Sequence, residues 1–204
     1  MSFDIENWPR REIYEFFGSM SQPFYSVTFR VDVTKVHSFA KAQGISFYYA
    51  LTWLVTRAVN LVPEFMLTIR RGAVEQLERR DPSFTDMKEG SECFHIVTLQ
   101  DNIVDFCREA KRRSEEQTRF INAESESDAL IFILCLPWVD ITALTNERDF
   151  DCEDSVPRIS WGKYTEENGR LMLGMSVEVN HRLIDGVHIG QFAAALEAGI
   201  DSLE

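Results

Sequence analysis

Hydrophobic positions change period repeatedly along the chain, and each change marks an element. Residues 24–33, FYSVTFRVDV, alternate apolar and polar and are rich in β-branched and aromatic side chains, which predicts a strand. Residues 34–44, TKVHSFAKAQG, start on Thr34 and stop on Gly44, the punctuation of a short helix. Residues 47–62, FYYALTWLVTRAVNLV, are apolar on nearly every side apart from Arg57 and Asn60. They predict a buried helix closed by Pro63. MLTIRRGAVEQLE reads as a hairpin turning at Arg71-Gly72, and SECFHIVTLQ as a further strand. Asp101 is expected to cap a charged helix ending near Arg119, and NAESESD to be a polar loop. Residues 129–139, ALIFILCLPWV, are a continuous apolar run, as in a central strand covered on both faces. RISWGKY and RLMLGMSVEVNH flank a turn at Glu167-Asn168-Gly169, a hairpin signal. GVHIGQFAAALEAGIDSL predicts a closing amphipathic helix. At the other end, Asn7 or Trp8 is the expected cap region, with Pro9 at the first helical position. No repeat or linker interrupts this order. It predicts one α/β domain over residues 1–204, a mixed β-sheet with helices in a two-layer α+β sandwich.

Composition narrows the class. The 204 residues, 45% hydrophobic and 26% charged, suit a globular domain with a full core. A net charge of −12 lacks the cationic footprint that nucleic acid or an anionic membrane requires, so neither is an expected partner. A few local cations and amides still suffice for a small anionic ligand. The beginning of the chain, MSFDIENWPRREIYEFF, has no basic start followed by an apolar run, and no stretch has membrane-span length without a charge or a break. A cytoplasmic location is therefore expected. Cys93, Cys107, Cys135 and Cys152 are far apart without metal-ligand spacing, which reads as idle thiols in a reducing compartment and no metal site.

The chemistry gathers in VEVNHRLIDGVHIGQF. His181 stands where a strand ends before a loop and a helix, and an imidazole is the side chain best poised to take a proton near neutral pH. Asp185 can fix a loop or neutralise a nearby cation, and Gly186 permits backbone that other residues resist. By spacing alone, His-x-x-x-Asp-Gly is more often an ordinary loop. His188 reads as helix packing or surface, and His37 and His95 carry no partner pattern.

HRLIDG in this setting resembles the His-x-x-x-Asp-Gly signature of CoA-dependent acyltransferases. NWPRREIYEFF is similar to the amino-terminal Asn-Trp-x-Arg-Arg-Glu segment of the chloramphenicol acetyltransferases. LPWVDITALT looks like their Pro-Trp-Val strand end, and GKYTEENGRLMLGMSVEVNH resembles their Lys-Tyr hairpin, with matching spacing to the histidine. PEF near residue 64 and DPSFT near residue 84 also match, so the resemblance spans nearly the whole chain. It implies the CoA-dependent acyltransferase fold, acetyl-CoA as co-substrate, a role in antibiotic resistance and a homotrimer with active sites between subunits. His181 takes the place of the general base, which activates an acceptor hydroxyl for direct attack on the thioester. Asp185 takes the place of a structural carboxylate paired with an arginine, the place of Arg10. Lys163 and Tyr164 match positions lining the CoA tunnel. Phe16, Phe17, Phe24 and Tyr25 fall where the acceptor pocket is built, where plain core aromatics are an equal reading.

Three positions, Asn180, Ser46 and Ala143, depart from the family pattern, and Ser160 keeps a polar group at a fourth. Asn180 replaces the first residue of a His-His pair, and Asn-His-Arg leans toward the dihydrolipoamide enzymes. Ser46 falls where a lysine often assists the CoA phosphate. Ser160 falls where a threonine binds a water. Ala143 falls where a serine donates to the oxyanion, and a methyl group donates nothing. Thr142 and Thr145 are close by but are expected to point differently along a strand. Two alternatives arise: an acyltransferase for another hydroxyl or thiol acceptor, or a non-catalytic relative that binds CoA or a hydrophobic small molecule.

Overall fold

The computed structural model describes residues 3–88, 91–121, 127–148 and 153–204. Among them, α1 (Arg11–Gly18) leads into β1 (Phe24–Asp32), α2 (Thr34–Gln43) and α3 (Phe47–Asn60). A 3-10 turn, Pro63–Met66, precedes the hairpin β2 (Leu67–Arg70) and β3 (Ala73–Gln76). Then come β4 (Asp81–Lys88), β5 (Ser91–Ile96), α4 (Ile103–Glu116), β6 (Leu130–Leu136), β7 (Arg158–Gly162), β8 (Thr165–Glu167), β9 (Arg170–Asn180) and α5 (Gly186–Asp201). The main sheet runs β1-β9-β7-β6-β4-β5, with β8 paired to β9, and the β2–β3 hairpin stands apart. Strand β6 is parallel to both β4 and β7, while the outer pairs are antiparallel. This is the expected mixed α/β architecture, with the apolar run of residues 130–136 at its centre.

Alternation gives the sheet two unlike faces. Leu173, Met175, Val177 and Val179 of β9 join Ile159, Trp161, Ile131 and Phe84 in the core beneath the helices. Helix α3 packs against α2, α4 and α5 and against β4 and β6. The intervening positions are small or polar: Gly174, Ser176, Glu178 and Asn180 on β9, Arg158 and Ser160 on β7, Ser83 and Thr85 on β4. Much of this second face is covered by the irregular segment of residues 139–148. A Cβ at Gly174 would run into the Ile141 carbonyl oxygen, and one at Gly162 would lie 2.5 Å from that of Val139. Ser26 and Ser176 both donate to the Leu144 carbonyl, at 3.0 and 2.7 Å. Glycine and serine thus clear a path for backbone to cross the sheet.

The β2–β3 and β8–β9 hairpins turn on paired positive-φ residues, Arg71-Gly72 and Asn168-Gly169, the geometry that matches strand twist. Gly44 ends α2 at φ 63, where a left-handed cap is cheapest for glycine.

The structure corrects several expectations. Helix α1 starts at Arg11 rather than at Pro9, with Arg10 as N-cap, because Asn7 is engaged with Asp4 (2.8 Å) in a turn of its own. Helix α4 is capped by Asn102, whose side chain accepts from the amides of Val104 and Asp105, not by Asp101. It stops at Glu116, because the Gln117 side chain contacts His95 (2.8 Å) and donates to the Phe94 carbonyl (2.7 Å). DPSFTDMK forms β4, a strand that Pro82 and two aspartates hide from any β pattern. Thr142 and Thr145 lie on the crossing segment, not on a strand. Cys93 and Cys107 are buried free thiols and Cys135 is half-buried. Cys152 and most of the NAESESD loop lie outside the described residues. Among those described, no helix is long and apolar enough to cross a membrane.

Candidate active site

Strand β9 ends at Asn180, a residue that shapes the turn beyond it. The Asn180 carbonyl accepts from the amides of Leu183 and Ile184, closing that turn tightly. Its side chain accepts from the Arg182 amide (3.0 Å) and donates to the Asp154 carbonyl (3.0 Å). The residue that departs from the His-His pattern is therefore a buried connector. The turn holds His181 at the sheet edge, where its amide donates to the Pro23 carbonyl at 2.7 Å.

The His181 ring lies between Phe17, stacked at 4.0 Å and 12°, and Tyr25, stacked at 4.2 Å and 29°. Nδ1 is buried and stands 3.3 Å from Asp185 Oδ1 without hydrogen-bond geometry. The side chain keeps 28% of its surface exposed. Burial pushes its pKa below the ordinary value. Its own backbone carbonyl opposes that shift, and the positive charge of Arg10 adds to it. The neutral imidazole is the favoured form, with a lone pair to offer.

Asp185 is ion-paired with Arg10, the pairing that the resemblance implies. Arg10 also donates toward the carbonyls of His181 (3.4 Å) and Arg182 (3.5 Å), so one guanidinium ties the turn to the start of α1. Arg182 lies over the Tyr14 ring at 4.0 Å and against Gly18, adding a second tie to α1. His188 is buried: its Nδ1 accepts from the Asp185 amide at 2.9 Å and its Nε2 lies 3.6 Å from Glu64 Oε1. It packs in the helix, and it also organises the cap, which spacing does not reveal. Glu64 belongs to the PEF turn, and nothing in its spacing marks it as a site residue.

The four aromatics do not gather. Phe17 and Tyr25 flank the base, and the Tyr25 hydroxyl is buried with no hydrogen-bond partner among the described residues. Phe16 is 61% exposed. Phe24 lies on the other face of the sheet, under the Arg148 guanidinium at 4.0 Å. Lys163 is exposed after β7, its amide donating to the Val139 carbonyl at 2.7 Å. Tyr164 beside it packs edge-on against His37 (5.6 Å) and Phe47 (5.4 Å). Ser46 caps α3, accepting from the Tyr49 amide at 3.4 Å, which gives a serine its own reason to stand there. Ser160 donates to Asn146 Oδ1 at 3.0 Å. Ala143 is exposed on the crossing segment.

Sequence reasoning missed the charged cluster on the second face. Arg148 contacts Asp154 (2.7 Å) and Glu178 (3.0 Å), and Arg158 contacts Asp154 (3.0 Å). An arginine and a glutamate in otherwise β-rich runs were the only signal.

The family model for chloramphenicol acetyltransferase matches residues 1–197. Chloramphenicol acetyltransferase 3 of Escherichia coli is 27% identical over 202 residues, covering 96% of this chain and 94% of its own. A chloramphenicol acetyltransferase of Clostridium perfringens is 27% identical over 195 residues, covering 93% and 89%. Among solved structures, a chloramphenicol acetyltransferase superposes with a TM-score of 0.90 at 26% identity, covering 98% of this chain and 99% of that one. A dihydrolipoamide acetyltransferase of Azotobacter vinelandii shares the fold, with a TM-score of 0.70 at 18% identity over 94% of this chain and 86% of that one. With the family model matched over residues 1–197 and the fold superposing over nearly the whole chain, the chain belongs to the chloramphenicol acetyltransferase family.

Proposed function

We propose that this protein is an acetyl-CoA-dependent O-acetyltransferase, a single domain over residues 1–204, with His181 as general base. The observation that carries the reading is the posture of His181: a ring clamped between Phe17 and Tyr25, Nδ1 buried against Asp185, and a pKa held low. With Nδ1 turned inward, Nε2 is left to face an acceptor hydroxyl. The acceptor oxygen bonds to the thioester carbonyl carbon while its proton passes to Nε2. The C–S bond then breaks, and the proton leaves on the thiol. No group remains on the enzyme. Arg10 and Asp185 do not handle the proton in this scheme; they hold the His181 peptide and cap in place.

Lys163 and Tyr164 are assigned to CoA. The exposed ammonium suits a phosphate, and the half-buried ring beside His37 and Phe47 suits an adenine edge. A homotrimer with the active sites between subunits, and a cytoplasmic location, complete the reading. Ala143 favours an acceptor other than chloramphenicol, and it is also the one feature that favours a non-catalytic, ligand-binding relative.

The test is release of free CoA thiol from acetyl-CoA in the presence of a panel of hydroxyl and thiol acceptors. Thiol release that depends on an acceptor supports the reading. CoA binding with no turnover on any acceptor transfers the case to the non-catalytic alternative.

A further inference from the structure

The cap of α5 departs from the ordinary capping box. At its third helical position such a box carries glutamate or glutamine, whose side chain reaches back to the N-cap amide. Here that position is His188, and its Nδ1 accepts from the Asp185 amide at 2.9 Å. An imidazole can do this only when it is neutral and carries its proton on Nε2. Nε2 lies 3.6 Å from Glu64 Oε1, on the Pro63–Met66 turn, a charge contact rather than a hydrogen bond. A carboxylate at that nitrogen favours the proton there and leaves Nδ1 bare. The His188 side chain is 8% exposed, so little water competes for either nitrogen.

The contacts continue to the base. Asp185 is held through its peptide N–H by His188, while its carboxylate pairs with Arg10 and stands 3.3 Å from His181 Nδ1. Fixing the amide of a residue limits where its short side chain can reach, whereas Arg10 alone would leave the carboxylate free to pivot about the pair. The charged groups that face His188 are Glu64 from the 3-10 turn, Arg10 from the segment before α1, and the Asp185 carboxylate of its own cap. Burial holds the ring neutral, Arg10 adds to that, and Glu64 opposes it. Glu64 thus steers the proton to Nε2 without overcoming the burial that keeps Nδ1 an acceptor.

We propose that His188 is a positioning residue for His181, acting through the Asp185 amide, and that Glu64 selects the tautomer that lets it do so. The proposal rests on the reading of His181 as the base. Protonating His188 sets a second N–H against the Asp185 amide. The cap then lets go, and the carboxylate loses its place beside His181 Nδ1.

Histidine NMR of the intact protein tests this without any substrate. The His181 ring lies between the faces of Phe17 and Tyr25, so its proton resonances should stand upfield of free histidine. In His188→Ala they should move toward the free-histidine positions. His188→Gln returns a neutral acceptor, the residue a capping box ordinarily uses, and should restore them. Long-range proton–nitrogen spectra should show the neutral His188 ring protonated on Nε2 in wild type, and on both nitrogens in Glu64→Ala. On acidification, the wild-type His181 resonances should respond to the titration of His188 as well as to their own, and in His188→Gln only to their own. With a working acceptor, His188→Ala should lower kcat about 10- to 100-fold and leave the KM for acetyl-CoA unchanged, because a misplaced base costs rate rather than binding. His181 resonances or kcat unmoved in His188→Ala, no restoration by glutamine, or a His188 proton on Nδ1 in wild type would each overturn the proposal. Where His188→Ala does not fold, the wild-type titration decides: His181 resonances that ignore the protonation of His188 overturn it. Failure of the acyltransferase reading looks different: every NMR result holds, yet no acceptor elicits thiol release from acetyl-CoA in wild type.

Discussion

Arg10 and Asp185 form an ion pair that joins the turn before the first helix to the cap of the last. The same guanidinium reaches the carbonyls of His181 and Arg182, and the same carboxylate stands 3.3 Å from His181 Nδ1. The spacing of Asp185 from His181 is thereby explained. Four residues bring the carboxylate around the turn to the point where it meets both the arginine and the buried side of the imidazole. Removing either partner leaves the other, mostly buried, without its counter-charge beside the base.

Asp185→Asn is expected to destabilise the fold. An arginine stripped of its partner in a mostly buried site costs about 3 kcal/mol, the low end for breaking such a pair, because Asp185 keeps some contact with solvent. Urea unfolding checks this. A midpoint equal to that of wild type would show that the pair contributes nothing.

His181→Ala should lower thiol release by a factor of about 100 to 10,000, the usual contribution of general-base catalysis. The protein should remain folded, since the ring sits at the sheet edge and is partly exposed. Circular dichroism run beside the kinetics distinguishes lost chemistry from lost structure. Full turnover in this variant would remove His181 from the mechanism.

The pH profile is set by the lowered pKa of His181. The neutral form is the base, so kcat/KM should fall on the acid side with a midpoint below the free-histidine value of about 6.5 and be flat above it. Stability moves in the same direction. A depressed folded pKa means that the unfolded chain takes up the proton first, so the stability present above about pH 6.5 is lost as pH falls toward the folded pKa. His188, lowered chiefly by its own burial and opposed by Glu64, adds to the same acid limb of stability. A kinetic midpoint above 6.5 would contradict the assignment.

Ala143→Ser is expected to raise acetylation of chloramphenicol by about tenfold, a fraction of the roughly 100 to 1,000 typical of one oxyanion donor. The fraction is small because Ala143 is exposed on the crossing segment, so a hydroxyl there stays partly solvated. Steady-state thiol release, wild type beside variant, decides. A wild type already fast on chloramphenicol would mean that another donor serves the oxyanion.

Gly174→Ala should destabilise by about 1–3 kcal/mol, the usual effect of overpacking. The new methyl would meet the Ile141 carbonyl, so the crossing segment must shift. Because Asn146 and Arg148 lie on that segment, their contacts with Ser160, Asp154 and Glu178 should loosen with it. Thermal unfolding checks this, and an unchanged melting temperature would show that the segment yields freely.

Local pattern alone determined much of the architecture. Residues 24–32, 47–60 and 130–136 announce their elements through period and composition, because alternation and unbroken apolar runs are features of adjacent positions, although the 130–136 strand proves fully buried on one face only. Gly44, Gly72 and Gly169 mark turns because their positive φ is a local requirement. The position of His181 at a strand end was legible for the same reason, and the motifs around it pointed to the family. Tertiary structure decided the relationships between positions far apart in the chain. Arg80 is fully buried and spends its guanidinium on the carbonyls of Phe65, Leu67, Asp128, Leu130 and Ser155, none of them near it in sequence. Phe24 and Tyr25 are neighbours in sequence, yet alternation sends one to Arg148 and the other to His181. The crossing of residues 139–148 over the sheet depends on Gly162, Gly174, Ser26 and Ser176 lying side by side only after the strands have paired. A one-dimensional pattern records how each residue is buried, but not against what.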